Sequence, residues 1–437
     1  MKLYNGLLVS LCLAGPLMGT AHALDISQIY SLALEQDIEL SIARSQLQSV
    51  TATLIQAESA GKPQVNLTAS TSYQDKDNSL SGDDTQTSLA YALNLQQNIY
   101  NTEVSARSDA ASANIRQAEA EYKLAQQNLI LRVTEAYFNI LSAKDSVAFA
   151  QAEKKAIARQ LEQANKRFEV GLIAITDVKE AQASYDLSVS QEIVANNALD
   201  NARVALQVII GQPLAESLSS LGDKLDMEIP PPVDGKQWVE LAKASNLSLI
   251  SSQARLEAAN ENRKIARSGE KPTVDFLASY QGVQGDSDKN GSFDTGDLAL
   301  SLQLNMPLYT SGRTGGAIEQ AEADYATAQN NLMLQKRLIA QQTSTAYLAV
   351  VAGIAQVNAL KQALNSTTAA LDATQAGFDV GTRTSVDVLN SLRETYRSRR
   401  DYASARYDFL VNTLKLKQAA GILQGEDISA LNQWLTP

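Results

Sequence analysis

A mainly α-helical protein with a smaller β portion, built from one unit used twice, is the fold class this sequence predicts. Three observations carry that expectation. Short motifs recur about 210 residues apart. Long stretches almost free of helix breakers show a seven-residue apolar period. Each unit also contains two short stretches in which apolar and polar residues alternate.

The repeat is steady in register. Val170-Gly171 followed by Asp177-Val178 returns as Val380-Gly381 followed by Asp387-Val388, displaced by 210 residues. Tyr137 returns as Tyr347 and Gly211 as Gly421, while Lys62-Pro63 and Tyr100 return as Lys271-Pro272 and Tyr309, displaced by 209. The expected organisation is a signal peptide over residues 1–23, a first repeat over 24–229 and a second over 230–437, parted by the rigid run Pro230-Pro231-Pro232.

The opening segment does not belong to the fold. Lys2, the apolar run Gly6 to Met18 and the small-residue site Ala21-His22-Ala23 read as a secretory signal, so the chain is expected to be exported. The only cysteine (Cys12) and the only histidine (His22) fall inside it. The remainder therefore offers no thiol or imidazole chemistry, and no metal site, cofactor or catalytic set is expected. Loss of Lys2 takes the formal charge from −11 to about −12, which argues against nucleic acid as a partner. After the signal no run of 18 apolar residues follows, so any membrane entry would need a closed barrel rather than a spanning helix.

Within the first unit no proline occurs between Pro63 and Pro213, and no glycine between Glu103 and Val170. Read as helix, Glu103 to Phe168 would run roughly 100 Å. Every seventh residue from Ile115 through Tyr122, Leu129, Ala136, Ala143, Ala150 and Ile157 to Ala164 is apolar, and the row Tyr325, Leu332, Ile339, Ala346, Gly353, Leu360 matches it. That spacing predicts supercoiled neighbours, and the small residues predict close approach. The long helices are expected at about 103–210 and 316–420, ended by Gly211 and Gly421. Strands are expected at about 64–100 and 273–309. Val65, Leu67, Ala69 with Leu89, Tyr91, Leu93, Leu95 would form one apolar face, and Val274, Phe276, Ala278, Tyr280 with Leu298 to Met306 its counterpart. This is the pattern of outer-membrane strands. The polar stretches Asp75–Gln86 and Gln284–Asp297 read as loops. Four strands cannot close a barrel in lipid, so further copies of the chain must supply the rest.

The run Arg167-Phe168-Glu169-Val170-Gly171-Leu172-Ile173-Ala174-Ile175-Thr176-Asp177-Val178, the run Val380-Gly381-Thr382-Arg383-Thr384-Ser385-Val386-Asp387-Val388-Leu389, and Met306-Pro307-Leu308-Tyr309 before Gly315-Gly316 closely resemble the TolC family of outer-membrane exit ducts. The likeness spans the whole chain after the signal. It implies a homotrimer whose twelve-stranded outer-membrane β-barrel continues into a long α-helical coiled-coil periplasmic tunnel. A mixed belt, formed by Pro213 to Trp238 and the chain end after Gly421, would surround the tunnel. The implied partners are outer-membrane lipid, a periplasmic adaptor (membrane fusion) protein, and an inner-membrane pump or ABC transporter. The implied function is the exit duct of tripartite drug efflux or type I protein secretion in a Gram-negative cell.

By the same resemblance Val170, Gly171, Val380 and Gly381 mark helix turns that dock the adaptor. Gln160, Thr176, Asp177, Arg383, Asp387, Asn390 and Arg406 take positions around the periplasmic aperture. Asp387 would form an acidic ring open to block by cations. Carboxylates ~6 Å apart there repel by about 0.7 kcal/mol in water. Asn390, Phe378, Lys166 and Gln375 depart from the pattern, so closure could rest on Arg383 with Asp177, or on Lys166 with another acid. Plainer readings stand beside these. Asp387 suits any helix N-terminus, Thr176 any N-cap, and Arg383 or Arg406 any solvated face. Glu153 beside Lys154-Lys155 reads as ordinary helix-surface charge. An exported coiled-coil structural protein or adhesin without a pore is the rival class.

Overall fold

A computed structural model describes residues 23–77, 84–214, 217–222, 225, 227–288 and 290–436; the predicted signal peptide, apart from Ala23, lies outside the described residues. Two matching series of elements follow one another. The first is α1 (Ile26–Gln36), α2 (Ile38–Ser59), β1 (Gln64–Lys76), β2 (Asp84–Tyr100), α3 (Thr102–Glu169) and α4 (Ile175–Ile210). After the short β3 (Ser220–Leu221) come α5 (Gly235–Ser245), α6 (Leu247–Ser268), β4 (Thr273–Ser287), β5 (Gly291–Asn305), α7 (Arg313–Asp379) and α8 (Ser385–Ala419). The chain finishes with α9 (Gly425–Asn432) and β6 (Leu435–Thr436).

The long helices match the expectation: α3 has 68 residues and α7 has 67. Of the predicted seven-residue row, Leu129, Ala136, Ala150, Ile157 and Ala164 are buried and the others half-buried. Gly211 and Gly421 end α4 and α8 in the left-handed region, with φ of 68° and 77°. The four helices that precede the strands were not anticipated. Their local signals are N-caps: the Asp25 carboxylate accepts from Gln28 N, Asp37 from Leu40 N, Asp234 from Lys236 N and Asn246 from Leu249 N.

These shorter helices complete a wall. On one side of α3 lie α2 and α4; on the other lie α6 and α8, and α7 covers their far side. Each pair stands end to end. Asn246 at the start of α6 donates to the Ala419 carbonyl at the end of α8, 2.9 Å away. The wall thus has four columns, namely α2/α4, α3, α6/α8 and α7. One stretch of α7 is apolar enough on average to match a membrane span, contrary to the expectation above. It is part of the wall, and its exposed Met333, Leu334 and Leu348 lie on the outermost column.

The strands form one antiparallel sheet in the order β1-β2-β4-β5. Its register aligns the predicted apolar residues in continuous rows. Leu67 pairs with Leu93, Leu93 with Tyr280, and Tyr280 with Leu298. The next row runs Val65, Leu95, Ala278, Leu300, while the row between them is Asn66, Asn94, Ser279, Ala299. One face is therefore apolar and the other largely polar. Leu298, Leu300, Leu302 and Leu304 are 65–69% exposed. The strands outrun the expected length because their polar ends still pair. Ser72 Oγ lies 2.9 Å from Ser88 Oγ, and Gln284 donates to Asp294 at 3.2 Å. Of the anticipated loops, residues 75–76, 84–86, 284–287 and 291–297 are paired strand, while 78–83 and 289 lie outside the described residues.

Halfway along α3 the ends of both series collect. β3 and β6 pair through Ser220 with Thr436 and Leu221 with Leu435, and Ile428 and Leu431 of α9 are buried beside Ile29. The repeated tyrosines explain themselves here. Tyr137 Oη donates to Ser219 O (2.9 Å) and approaches Leu24 O (3.2 Å), and Tyr347 Oη donates to Val233 O. Leu24 and Val233 precede α1 and α5 by equal distances, so each long helix holds the start of its own series. The segment read as a linker is docked too, because Trp238 Nε1 donates to Pro232 O at 2.6 Å. Burial raises the Tyr137 phenol well above its ordinary pKa, which keeps it a donor.

Charge also crosses the wall. Glu153, 3% exposed, receives Arg400 Nη1 at 3.2 Å from α8, so it is an interior ion-pair member rather than the surface charge its sequence suggests. Lys154 reaches Glu192 of α4 at 2.5 Å. Two outcomes are expected. Tyr137→Phe should leave the Ser219 carbonyl without its donor, while Leu24 O keeps Ser219 N at 3.1 Å, at a cost of about 1–3 kcal/mol, read as faster amide exchange at 217–221. Tyr347→Phe, at a more exposed site, should do less. Removing Arg400 alone (Arg400→Leu) should cost about 3 kcal/mol, read as a lowered helix melting temperature. Glu153→Leu/Arg400→Leu together should recover most of it.

Candidate functional site

Far from the sheet, α3 and α4 meet in one turn and α7 and α8 in another. Both are Schellman turns. In the first, Leu172 N donates to Arg167 O (2.9 Å) and Gly171 N to Phe168 O (2.9 Å). In the second, Thr382 N donates to Gly377 O (2.8 Å) and Gly381 N to Phe378 O (3.1 Å). Gly171 and Gly381 hold φ of +76° and +83°, where a side chain is strained, and this is why glycine recurs at both places. Val170 and Val380 are 69% and 76% exposed, presenting an apolar knob at each apex.

The helices leaving the turns are capped unequally. α8 begins with a capping box in which Asp387 N donates to Thr384 Oγ1 (3.2 Å) and the Asp387 carboxylate accepts from Thr384 N and Oγ1, both 3.0 Å. Those bonds, with nearby Arg383, hold the Asp387 carboxyl below its usual pKa of 3.8. Because the folded-state pKa is depressed, the cap's contribution is complete above about pH 4 and fades only as pH falls further. α4 has no such cap: Ala174 stands at its N-cap, and Asp177 N bonds Ala174 O at 3.1 Å. Thr176 is thus inside the first turn and not the N-cap.

Between the turns a small core of Ile157, Ala164, Val178, Ala181, Leu389 and Leu392 ties the two hairpins. Gln160 Nε2 donates to Gln375 Oε1 at 3.0 Å, and Gln375 in turn donates to Asp379 at 3.1 Å. The Arg167 guanidinium lies 4.1 Å from the centre of the buried Phe378 ring, a cation–π contact the sequence did not reveal. Phe378 therefore joins the hairpins without a hydroxyl. Within the chain, Lys166 bonds Glu162 one turn back on its own helix at 2.6 Å. Asp177 and Arg383 form no ion pair within one chain, and Asn390 is exposed one turn beyond Asp387. Arg406 does not join this group. It lies 21 residues beyond Ser385, about 30 Å along the helix, and donates to the Gly222 carbonyl at the belt. Its cluster with Arg397, Arg399 and Arg400 in sequence hid that the structural partner is the backbone carbonyl of Gly222.

The site is therefore a pair of glycine turns bearing exposed apolar apices, with Asp177, Arg383 and Asp387 close by. The profile of the family described as outer membrane efflux protein matches residues 29–212 and again 238–422, one match for each series. Outer membrane protein TolC of Vibrio cholerae is 36% identical over 438 residues, covering 100% of this chain and 99% of its own. Alkaline protease secretion protein AprF of Pseudomonas aeruginosa is 26% identical, covering 93% of this chain and 86% of its own. Among solved structures, a CusC crystal structure superposes with a TM-score of 0.80 at 19% identity, covering 91% and 93% of the two chains. The chain belongs to the outer membrane efflux protein family, and it does so along both of its repeats.

Proposed function

We propose that three copies of this chain form a passive outer-membrane exit duct that opens at its periplasmic end. The observation that carries this reading is the pair of incomplete edges. β1 and β5 end the sheet with their outer backbone groups unpaired, while α2/α4 and α7 end the wall with exposed apolar side chains. Lipid tolerates a strand only in a closed barrel. The same operation that joins β5 to the next β1 also joins α7 to the next α2/α4. Three copies supply twelve strands and twelve columns, with the apolar sheet face outward to lipid.

The glycine turns of three chains then surround one aperture. Asp387 forms an acidic ring, and Arg383, which stands near Asp387 in its own chain, faces Asp177 of a neighbouring copy. Gln160 and Arg167 hold each pair of hairpins together in the closed state. A periplasmic adaptor engages Val170, Gly171, Val380 and Gly381, and an inner-membrane pump or ABC transporter supplies the energy. The duct shifts between two states and performs no chemistry. Its cargo is small toxic molecules, as in efflux, or polypeptides, as the likeness to a protease secretion protein suggests. A pore-free scaffold would not need an apolar lipid-sized sheet face, and fractionation to the soluble periplasm would overturn the duct.

Arg383→Ser should raise single-channel conductance in planar bilayers, and an unchanged value would remove Arg383 from the aperture. Asp387→Asn keeps an acceptor for the Thr384 cap but removes the charge. It should abolish block by trivalent cations from the periplasmic side, whereas persistent block would place the ring elsewhere.

A further inference from the structure

The second turn contains a glycine that its backbone does not require. Gly377 lies in the last turn of α7, and its φ is outside the left-handed region. Its counterpart 210 residues earlier is Arg167. Arg167 O accepts from Leu172 N (2.9 Å) the same Schellman bond that Gly377 O accepts from Thr382 N (2.8 Å). A side chain therefore fits this backbone, and glycine there costs helix stability relative to alanine. What the glycine provides is room. A Cβ at 377 would stand 2.8 Å from Arg383 Cγ, well inside carbon–carbon contact distance, and 3.1 Å from Thr382 Oγ1. The stem of Arg383 thus lies across bare backbone, and Arg383 N also donates to Gly377 O at 3.2 Å. The first turn inverts the arrangement. Arg167 fills the position of Gly377, and Ile173 stands at the position of Arg383, where it packs against the small core between the hairpins.

We infer that Gly377 is a positioning residue for Arg383, its missing side chain being the seat that holds the arginine stem and aims the guanidinium at the aperture. The inference rests on the proposed duct, in which Arg383 faces a neighbouring copy. It adds how an exposed arginine becomes a specific link. A free arginine gives up much rotamer freedom when it pairs, so an exposed pair is weak. Arg383 is exposed, but its stem is already packed and its backbone tied to the helix end. Such a side chain has less freedom left to lose, which strengthens any pair it makes. The seat also keeps the guanidinium near Asp387 of its own chain.

The test compares single-channel conductance in planar bilayers for full-length chains carrying Gly377→Ala, Arg383→Ser, both together, or Gly353→Ala. Gly353 is another glycine inside α7, and a Cβ there meets Phe409 at an ordinary 3.7 Å. Its replacement should favour the helix and leave conductance unchanged. Gly377→Ala should reproduce most of the rise given by Arg383→Ser, with a melting temperature no lower than that of Arg383→Ser. It should add nothing when residue 383 is already serine, because a residue that acts through another is not additive with it. A rise with Arg383→Ser and none with Gly377→Ala would overturn the seat and leave the duct standing. So would an equal rise from Gly377→Ala in both backgrounds, an equal rise from Gly353→Ala, or a melting temperature below that of Arg383→Ser. Each of these traces the effect to the helix or the turn and not to Arg383. No rise from Arg383→Ser would remove Arg383 from the aperture, and the seat's role with it.

Discussion

Backbone groups in hydrocarbon have no water to bond, and an open sheet edge there leaves several of them unsatisfied at a cost of several kcal/mol each. This chain carries two such edges, β1 and β5, on a sheet whose apolar face suits lipid. The rest of the molecule is consistent with answering that constraint. Duplication doubles one hairpin to two, and the element order that ends the sheet at β1 and β5 also ends the wall at α2/α4 and α7. In the proposed duct, closing the strands and closing the helices is a single geometric event.

α3 is the spine on which the other elements are registered. Near the sheet it holds α6 through Arg116 and Glu121; at mid-length Tyr137 and Gln127 bond belt carbonyls; towards the turn Glu153 holds Arg400. A helix of 68 residues is stable here because a partner covers each part of it in turn. The turn region is different in kind. Its core is small, its apices are exposed, and among the described residues its inter-hairpin links near the turns are one amide pair and one cation–π contact. Few buried contacts make a region that opens at low cost, which suits the opening proposed for it.

The two glycine turns show how a duplicated element can diverge without losing shape. Both keep the Schellman bonds, which depend on backbone and on one glycine each. Only the second keeps a capping box, and there Asp387 serves its own helix while standing available to a ring. The plain and the functional readings of that aspartate are therefore compatible. For Arg406 they are not, because its guanidinium is bound at the belt, far from the turns.

Sequence alone determined the repeat, the long helices, the apolar strand face and the glycine turns. Each depends on local periodicity or on a backbone conformation that one residue type permits, and such signals survive in a linear string. It missed α1, α2, α5 and α6, whose Asp and Asn caps are common in any turn and whose apolar faces are short. It overestimated the sheet's loops, because polar residues look alike whether solvated or paired across a ladder. Only the tertiary structure decided that Glu153 is buried, that Lys166 turns back to Glu162, that Phe378 lies under Arg167 and that Arg406 bonds Gly222. A charged side chain's partner is chosen by which helix face arrives opposite it, and that depends on contacts hundreds of residues away in sequence.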